Sequence, residues 1–162
     1  MKGFALLGPI LCLLASGTPS SASPEDSPTQ PKVNDIRASL FYERSGRLSE
    51  DLTRQPLTLW NVPIASGGDV EEPASHVVVV VILRGPADWY EGETRLRFVA
   101  TADGVEKPLL DETRILGVFG PDGTWSAPFL LTDVTCYQLE LEATVVGSSE
   151  TYSEAIEFRC GE

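Results

Sequence analysis

His76 is the only imidazole in this 162-residue chain, and nucleophilic hydrolysis needs such a base beside its serine or cysteine. It stands at the head of the apolar run Val77–Leu83, and G-x-S-x-G occurs nowhere in the sequence. The expectation is therefore a strand-end histidine near the surface. Zinc is no better served, because one His and two cysteines expected in a disulfide leave too few ligands. Paired carboxylates are plentiful: Glu71-Glu72, Glu91 with Glu93, Asp111-Glu112, and Glu140 with Glu142. A glycosidase holds two carboxylates at a defined separation in a cleft. Glu140 and Glu142 instead alternate with Leu139 and Leu141, the pattern of a strand's solvated face. No catalytic residue and no metal ligand is assigned.

Two loops remain as candidate contact sites. Ser66–Glu72 brings Asp69, Glu71 and Glu72 into a Gly-rich segment, while Asp103, Asp122 and Asp133 stand at turns. Calcium takes about six to eight oxygens from such loops, but no D-x-D-x-D-G spacing is present. Aspartate is also an ordinary turn former. No cofactor is expected, calcium being the one that the acidic loop would admit. The stretch Gly85–Gly92 sets Trp89 beside Tyr90. Exposed aromatics serve as sugar platforms or protein hot spots. One of the two is expected to fold back and plug the open end of the domain, with Trp60 and Trp125 in strands of the core.

Charge narrows the partners. With 12 Lys+Arg against 24 Asp+Glu, the net charge of −12 repels nucleic acid and anionic membrane surfaces. Met1-Lys2, the apolar run Gly3–Ala15 and the small residues up to Ser23 have the layout of a secretory signal peptide. Cleavage is placed after Ala22, giving a signal peptide over 1–22, with Gly17 the competing end. Cys12 follows Leu11 rather than a small residue, so lipid attachment is not expected. No later segment reaches the ~20 apolar residues that a membrane span needs. The protein is thus expected to be secreted or periplasmic. Cys136 and Cys160 then remain, and an even pair in an exported chain reads as a disulfide. Closing that loop would stabilise the fold by about 3–4 kcal/mol.

The elements that must carry these residues read as strands. Ser23 to Asn34 is dense in Pro, Ser, Asp and Glu, which predicts a flexible linker over 23–34 and a domain over 35–162. Ile36, Ala38, Leu40 and Tyr42 alternate with polar residues at period two. Pro56 and Pro63 flank a short edge strand, Leu57–Val62. His76–Arg84 is the strongest strand signal, because its β-branched run fits a pleated surface and crowds a helix. Both faces of Val77–Leu83 are apolar. Either this is a central strand covered within the domain, or its second face meets another chain, most simply a second copy.

Arg95–Thr101 follows. Asp103-Gly104 predicts a two-residue hairpin to Val105–Leu110, and Gly120-Pro121-Asp122-Gly123 predicts another between Ile115–Phe119 and Trp125–Leu131. The last strands are expected near Cys136–Val146 and Thr151–Cys160. A loop over Gly147–Glu150 pairs Leu139 with Phe158 and Leu141 with Ile156, which keeps one face apolar. Without any sustained 3.6-residue period, the fold class is all-β: an antiparallel sandwich of about eight or nine strands.

Tyr90-Glu91-Gly92-Glu93-Thr94-Arg95-Leu96-Arg97-Phe98-Val99-Ala100 resembles the opening of a strand in immunoglobulin-like domains of bacterial surface proteins. The two cysteines depart from that pattern, since they bracket the final hairpin instead of joining distant strands. The resemblance implies an exported, non-catalytic module that binds or scaffolds a protein partner, or self-associates, through loops on a rigid frame. The competing expectation is a carbohydrate-binding or carbohydrate-active domain using Trp89, Tyr90 and loop carboxylates. A third is an envelope component without a discrete ligand.

Overall fold

The computed structural model describes residues 28–55, 58–60, 65–67, 70–134 and 137–161. The expected signal peptide, Asp69 and Cys136 lie outside them, and Glu71 and Cys160 are described in their backbone only. The expected disulfide therefore falls outside the described residues.

Two four-stranded antiparallel sheets form a sandwich. The first is built from β1 (Lys32–Tyr42), β2 (Arg47–Leu48), β6 (His76–Arg84) and β9 (Thr124–Leu131), in the order β2-β1-β6-β9. The second is built from β7 (Arg95–Ala102), β8 (Leu110–Ile115), β10 (Leu139–Val145) and β11 (Thr151–Ile156), in the order β11-β10-β7-β8. Two short pairs complete it: β3 (Thr58–Trp60) runs parallel to β12 (Arg159–Gly161), and β4 (Ala65–Gly67) is antiparallel to β5 (Val70–Ala74). Among the described residues no helix is long and apolar enough to cross a membrane.

Alternation explains the sheets. Ile36, Ala38, Leu40 and Tyr42 on β1 and Val77, Val79, Val81 and Leu83 on β6 point inward, opposite Leu96, Phe98 and Ala100 on β7 and Leu139, Leu141 and Ala143 on β10. Each fully buried Val, Leu, Ile or Phe among them contributes about 1.5–3 kcal/mol. Phe98 and Phe129 stack at 4.4 Å between the layers. Arg114 closes one flank: from β8 it donates to the Pro128 carbonyl of β9 at 2.6 Å, with its guanidinium 4.3 Å from the Phe129 ring centre. Beside β1 the two-residue β2 covers only Phe41 and Tyr42; further along, the Ser49 amide bonds the Leu40 carbonyl, Ser49 Oγ accepts the Leu40 N–H and Asp51 Oδ1 accepts the Ala38 N–H. Side chains there stand in for a missing strand.

β6 is central, with β1 and β9 on either side. Its second face, Val78, Val80 and Ile82, is half-buried beside Ser39, Arg37 and Asp35 on β1 and Leu130, Pro128 and Ser126 on β9.

Four local expectations need correction. β1 begins at Lys32, so Lys32–Asn34, expected in the linker, belong to the sheet, and the bulge between Val33 and Asp35 is what breaks the alternation there. The Asp103-Gly104 turn closes, with the Val105 N–H on the Ala102 carbonyl and Gly104 at φ +74°. The chain nevertheless pairs again only from Leu110, not over Val105–Leu110. Pro108 lacks the N–H that a strand there would use.

The turn before Gly123 also closes, with the Gly123 N–H on the Gly120 carbonyl, yet it joins β8 to β9 across the two sheets and is no hairpin. In the last hairpin Leu139 faces Ile156 and Leu141 faces Glu154, a slip of two residues from the expected pairing. A slip of two preserves the buried face, so alternation alone cannot discriminate between the two registers.

Candidate functional site

β6, β8 and β10 end, and β1, β7, β9 and β11 begin, at the same pole of the sandwich. Two of the loops there are knitted by backbone hydrogen bonds. Gly85 N–H bonds the Gly123 carbonyl at 2.9 Å, Asp88 N–H that of Gly120 at 3.2 Å, Phe119 N–H that of Trp89 at 2.9 Å, and Leu116 N–H that of Thr94 at 2.9 Å. Gly123 makes this approach possible: it sits at φ +69°, and a Cβ on it would lie 2.4 Å from the Gly85 carbonyl oxygen.

Phe119, wholly buried, is the hub of the pole. Trp89 meets it edge-on at 5.4 Å and 84°, and Trp125 lies tilted on it at 6.3 Å and 31°. One of the paired aromatics thus folds back on the end of the core, as the sequence suggested. Tyr90, 61% exposed, faces out. Ile115, Val118 and Val146 are exposed at the same pole. Ile115 pairs with Arg95, whose carbonyl accepts the Val146 N–H at 2.8 Å, so these two apolar side chains flank Arg95.

A cavity of about 660 Å³ opens beside Trp89. Glu91 and Thr94 share its first wall, the 146–149 turn forms the second, and Thr29, Gln30 and Pro31 form the third. Thr94 Oγ1 donates to Glu91 Oε2 at 3.0 Å. The second wall is held by Ser148 N–H on the Val145 carbonyl at 2.9 Å and Glu150 N–H on Ser148 Oγ at 3.0 Å.

The described residues of the other candidate loop, 66–67 and 70–72, lie at the opposite pole, because they precede β6 whereas Trp89 follows it. Nine residues of strand separate the two, roughly 27 Å. They do not form one site. Glu72, the acid of that loop whose side chain is described, receives Arg47 Nη2 at 3.3 Å on Oε1, and its Oε2 is buried without a hydrogen-bond partner. Asp122 Oδ1 accepts the Thr124 N–H at 3.1 Å and Asp133 adopts φ +56°, so both shape turns. Among the described residues no three His, Cys, Asp or Glu side chains gather to hold a metal ion.

His76 does meet a serine and a carboxylate. Its Nδ1 lies 2.6 Å from Glu43 Oε1 and 3.0 Å from Ser75 Oγ, and Ser75 Oγ donates to the same Glu43 oxygen at 2.7 Å. A hydrolytic relay needs acid and nucleophile on opposite ring nitrogens. Here both crowd one nitrogen, and the serine proton is committed to the glutamate. The Ser75 hydroxyl, then His76, hold the Glu43 carboxyl below its ordinary range. Among the described side chains, the remaining carboxylate pairs are occupied or solvated. Arg97 grips Asp111 with two bonds of 2.9 and 2.8 Å, Arg114 binds Glu112, and Glu140 and Glu142 lie exposed on the outer face of β10.

Sequence reasoning picked out Trp89 and Tyr90 but gave Val118 and Phe119 no part in the site, and read the turn at Gly147–Glu150 only as a hairpin loop. It also placed Thr29–Pro31 in a linker, where the structure gives them a wall of the cavity. The Gly120–Gly123 turn was the one local signal, and it carried no indication that this loop pairs with the loop bearing Trp89. Searches of protein-family models and of curated proteins find no match to this chain.

Proposed function

We propose that this chain is an exported, non-catalytic immunoglobulin-like module that binds a protein partner through its Trp89–Tyr90 pole. The observation carrying this reading is the division of labour between the two aromatics. Trp89 is spent anchoring the loop on Phe119, which leaves Tyr90 exposed on a frame pinned by backbone bonds. A large amphipathic side chain on a rigid frame loses little conformational freedom on binding, which is what a hot spot requires. Ile115, Val118 and Val146 supply exposed apolar area at the same pole.

The strand order supports the immunoglobulin-like reading. β1, β6 and β9 face β11, β10, β7 and β8, so the β6–β7 and β10–β11 loops gather at one pole, as binding loops do in variable domains. Export rests on the arrangement of residues 1–22. The non-catalytic reading rests on the Glu43–Ser75–His76 geometry.

The test is affinity capture of the chain's partner from the secreted or periplasmic fraction, by wild type and by Tyr90→Ala with Val118→Ser. Capture should fall about tenfold or more in the double variant, the loss expected when an interfacial aromatic is truncated. Undiminished capture would place the contact elsewhere, and recovery of the chain alone would move the reading to self-association.

A further inference from the structure

We infer that the cavity beside Trp89 is an arginine-accepting subsite, filled by an arginine side chain of the protein partner. The inference rests on the partner-binding reading above and names the chemistry it would use. A cavity of about 660 Å³ is well within the range of ligand sites, far larger than a trapped water needs. Its lining includes one indole and one carboxylate, with hydroxyl and amide oxygens around them from Thr29, Gln30, Ser148 and Ser149. No Lys or Arg lines it; Lys32 borders the smaller neighbouring cavity.

An indole face attracts a cation, and a carboxylate binds a guanidinium through charge-assisted hydrogen bonds. The edge-on contact with Phe119 occupies at most one indole face. Thr94 orients the Glu91 carboxylate through Oε2, leaving Oε1 outside that bond. Arginine fits better than lysine, because its five fixed donors match the several acceptors of the walls, whereas an ammonium has three. The −12 charge of the chain draws a basic partner towards it. The molecule already uses this chemistry internally, where Arg114 lies over Phe129 and is held by Glu112.

The experiment is a nuclear magnetic resonance titration of the full mature chain with N-acetyl-arginine amide, with its neutral isostere N-acetyl-citrulline amide, and with cellobiose. The Trp89 indole N–H is the reporter, assigned through Trp89→Phe. Expected are a saturable shift with the arginine amide, binding of citrulline weaker by about tenfold, and a similar loss in Glu91→Gln. Glu140→Gln, on the outer face of β10, should titrate as wild type. Thermal unfolding of Glu91→Gln at the wild-type temperature keeps that loss from being a folding defect.

No saturable shift with the arginine amide, equal shifts from citrulline, or saturation by cellobiose would each overturn the inference, the last in favour of a glycan. The titration reads the groove in the isolated chain. Its failure therefore leaves a capture defect of the Tyr90 variant standing, while an unchanged capture in that variant would leave a positive titration standing.

Discussion

At the Trp89 pole two loops are joined by main-chain hydrogen bonds around a buried phenylalanine, whereas the opposite pole, beside main-chain bonds such as Val134 N–H to the Ser75 carbonyl, is also tied by titratable side chains: Glu43 to Ser75 and His76, and Arg47 to Glu72. Main-chain bonds and ring contacts carry no titratable group. Ion pairs in water are screened by salt and depend on pH. A surface that presents Tyr90 in one place, as the proposed function requires, is better built the first way.

The largest effect that separates the poles is expected at Phe119. Phe119→Ala removes the ring that both Trp89 and Trp125 touch, and should destabilise the domain by about 3–5 kcal/mol in denaturant titration. Tryptophan emission should also shift to the red. His76→Ala, at the other pole, should leave the emission unchanged.

A smaller contrast lies between two glycines. Gly123→Ala meets the Gly85 carbonyl as well as a positive φ, and Gly46→Ala, at φ +70°, meets open space. The first should cost about 2–3 kcal/mol and the second about 1 kcal/mol by the same titration. Equal costs would mean that the close approach of the two loops contributes nothing.

The smallest effect is one of pH. Glu43 has a folded-state pKa below its unfolded value, so its contribution is complete above the ordinary glutamate value of about 4.3 and is lost as pH falls through the folded one. Stability of wild type should therefore drop more steeply than that of Glu43→Gln below that pH. Hydrogen exchange should show the loss in residues 43–46 and 75–76 before residues 85–94.

Much of the frame could be read from residue alternation. β1, β6, β7 and β10 each bury one side chain in two, and those periods are local. What the alternation left open were quantities it cannot encode. A two-residue slip between β10 and β11 changes every partner without changing which side chains are buried. The Gly120–Gly123 turn was visible as a turn, but its partner, the segment bearing Trp89, lies about thirty residues earlier, and only packing around Phe119 brings them together. Thr29–Pro31 read as linker because composition reports what a segment can bury, not what it can border. His76 was correctly expected at a strand end, and its bonds to Glu43 and Ser75 follow from register alone, because Phe41 pairs with His76 and Glu43 lies just beyond on β1's side.

The most direct test of the account is site-specific photocrosslinking in the native exported fraction, with a photoreactive residue placed at Val118 in one sample and at Glu72 in another. The two positions sit on opposite poles, Val118 exposed and Glu72 paired with Arg47. It predicts a discrete adduct with a second protein from position 118 and none from position 72. An adduct from position 72 alone would contradict it, and would transfer the contact surface to the acidic hairpin.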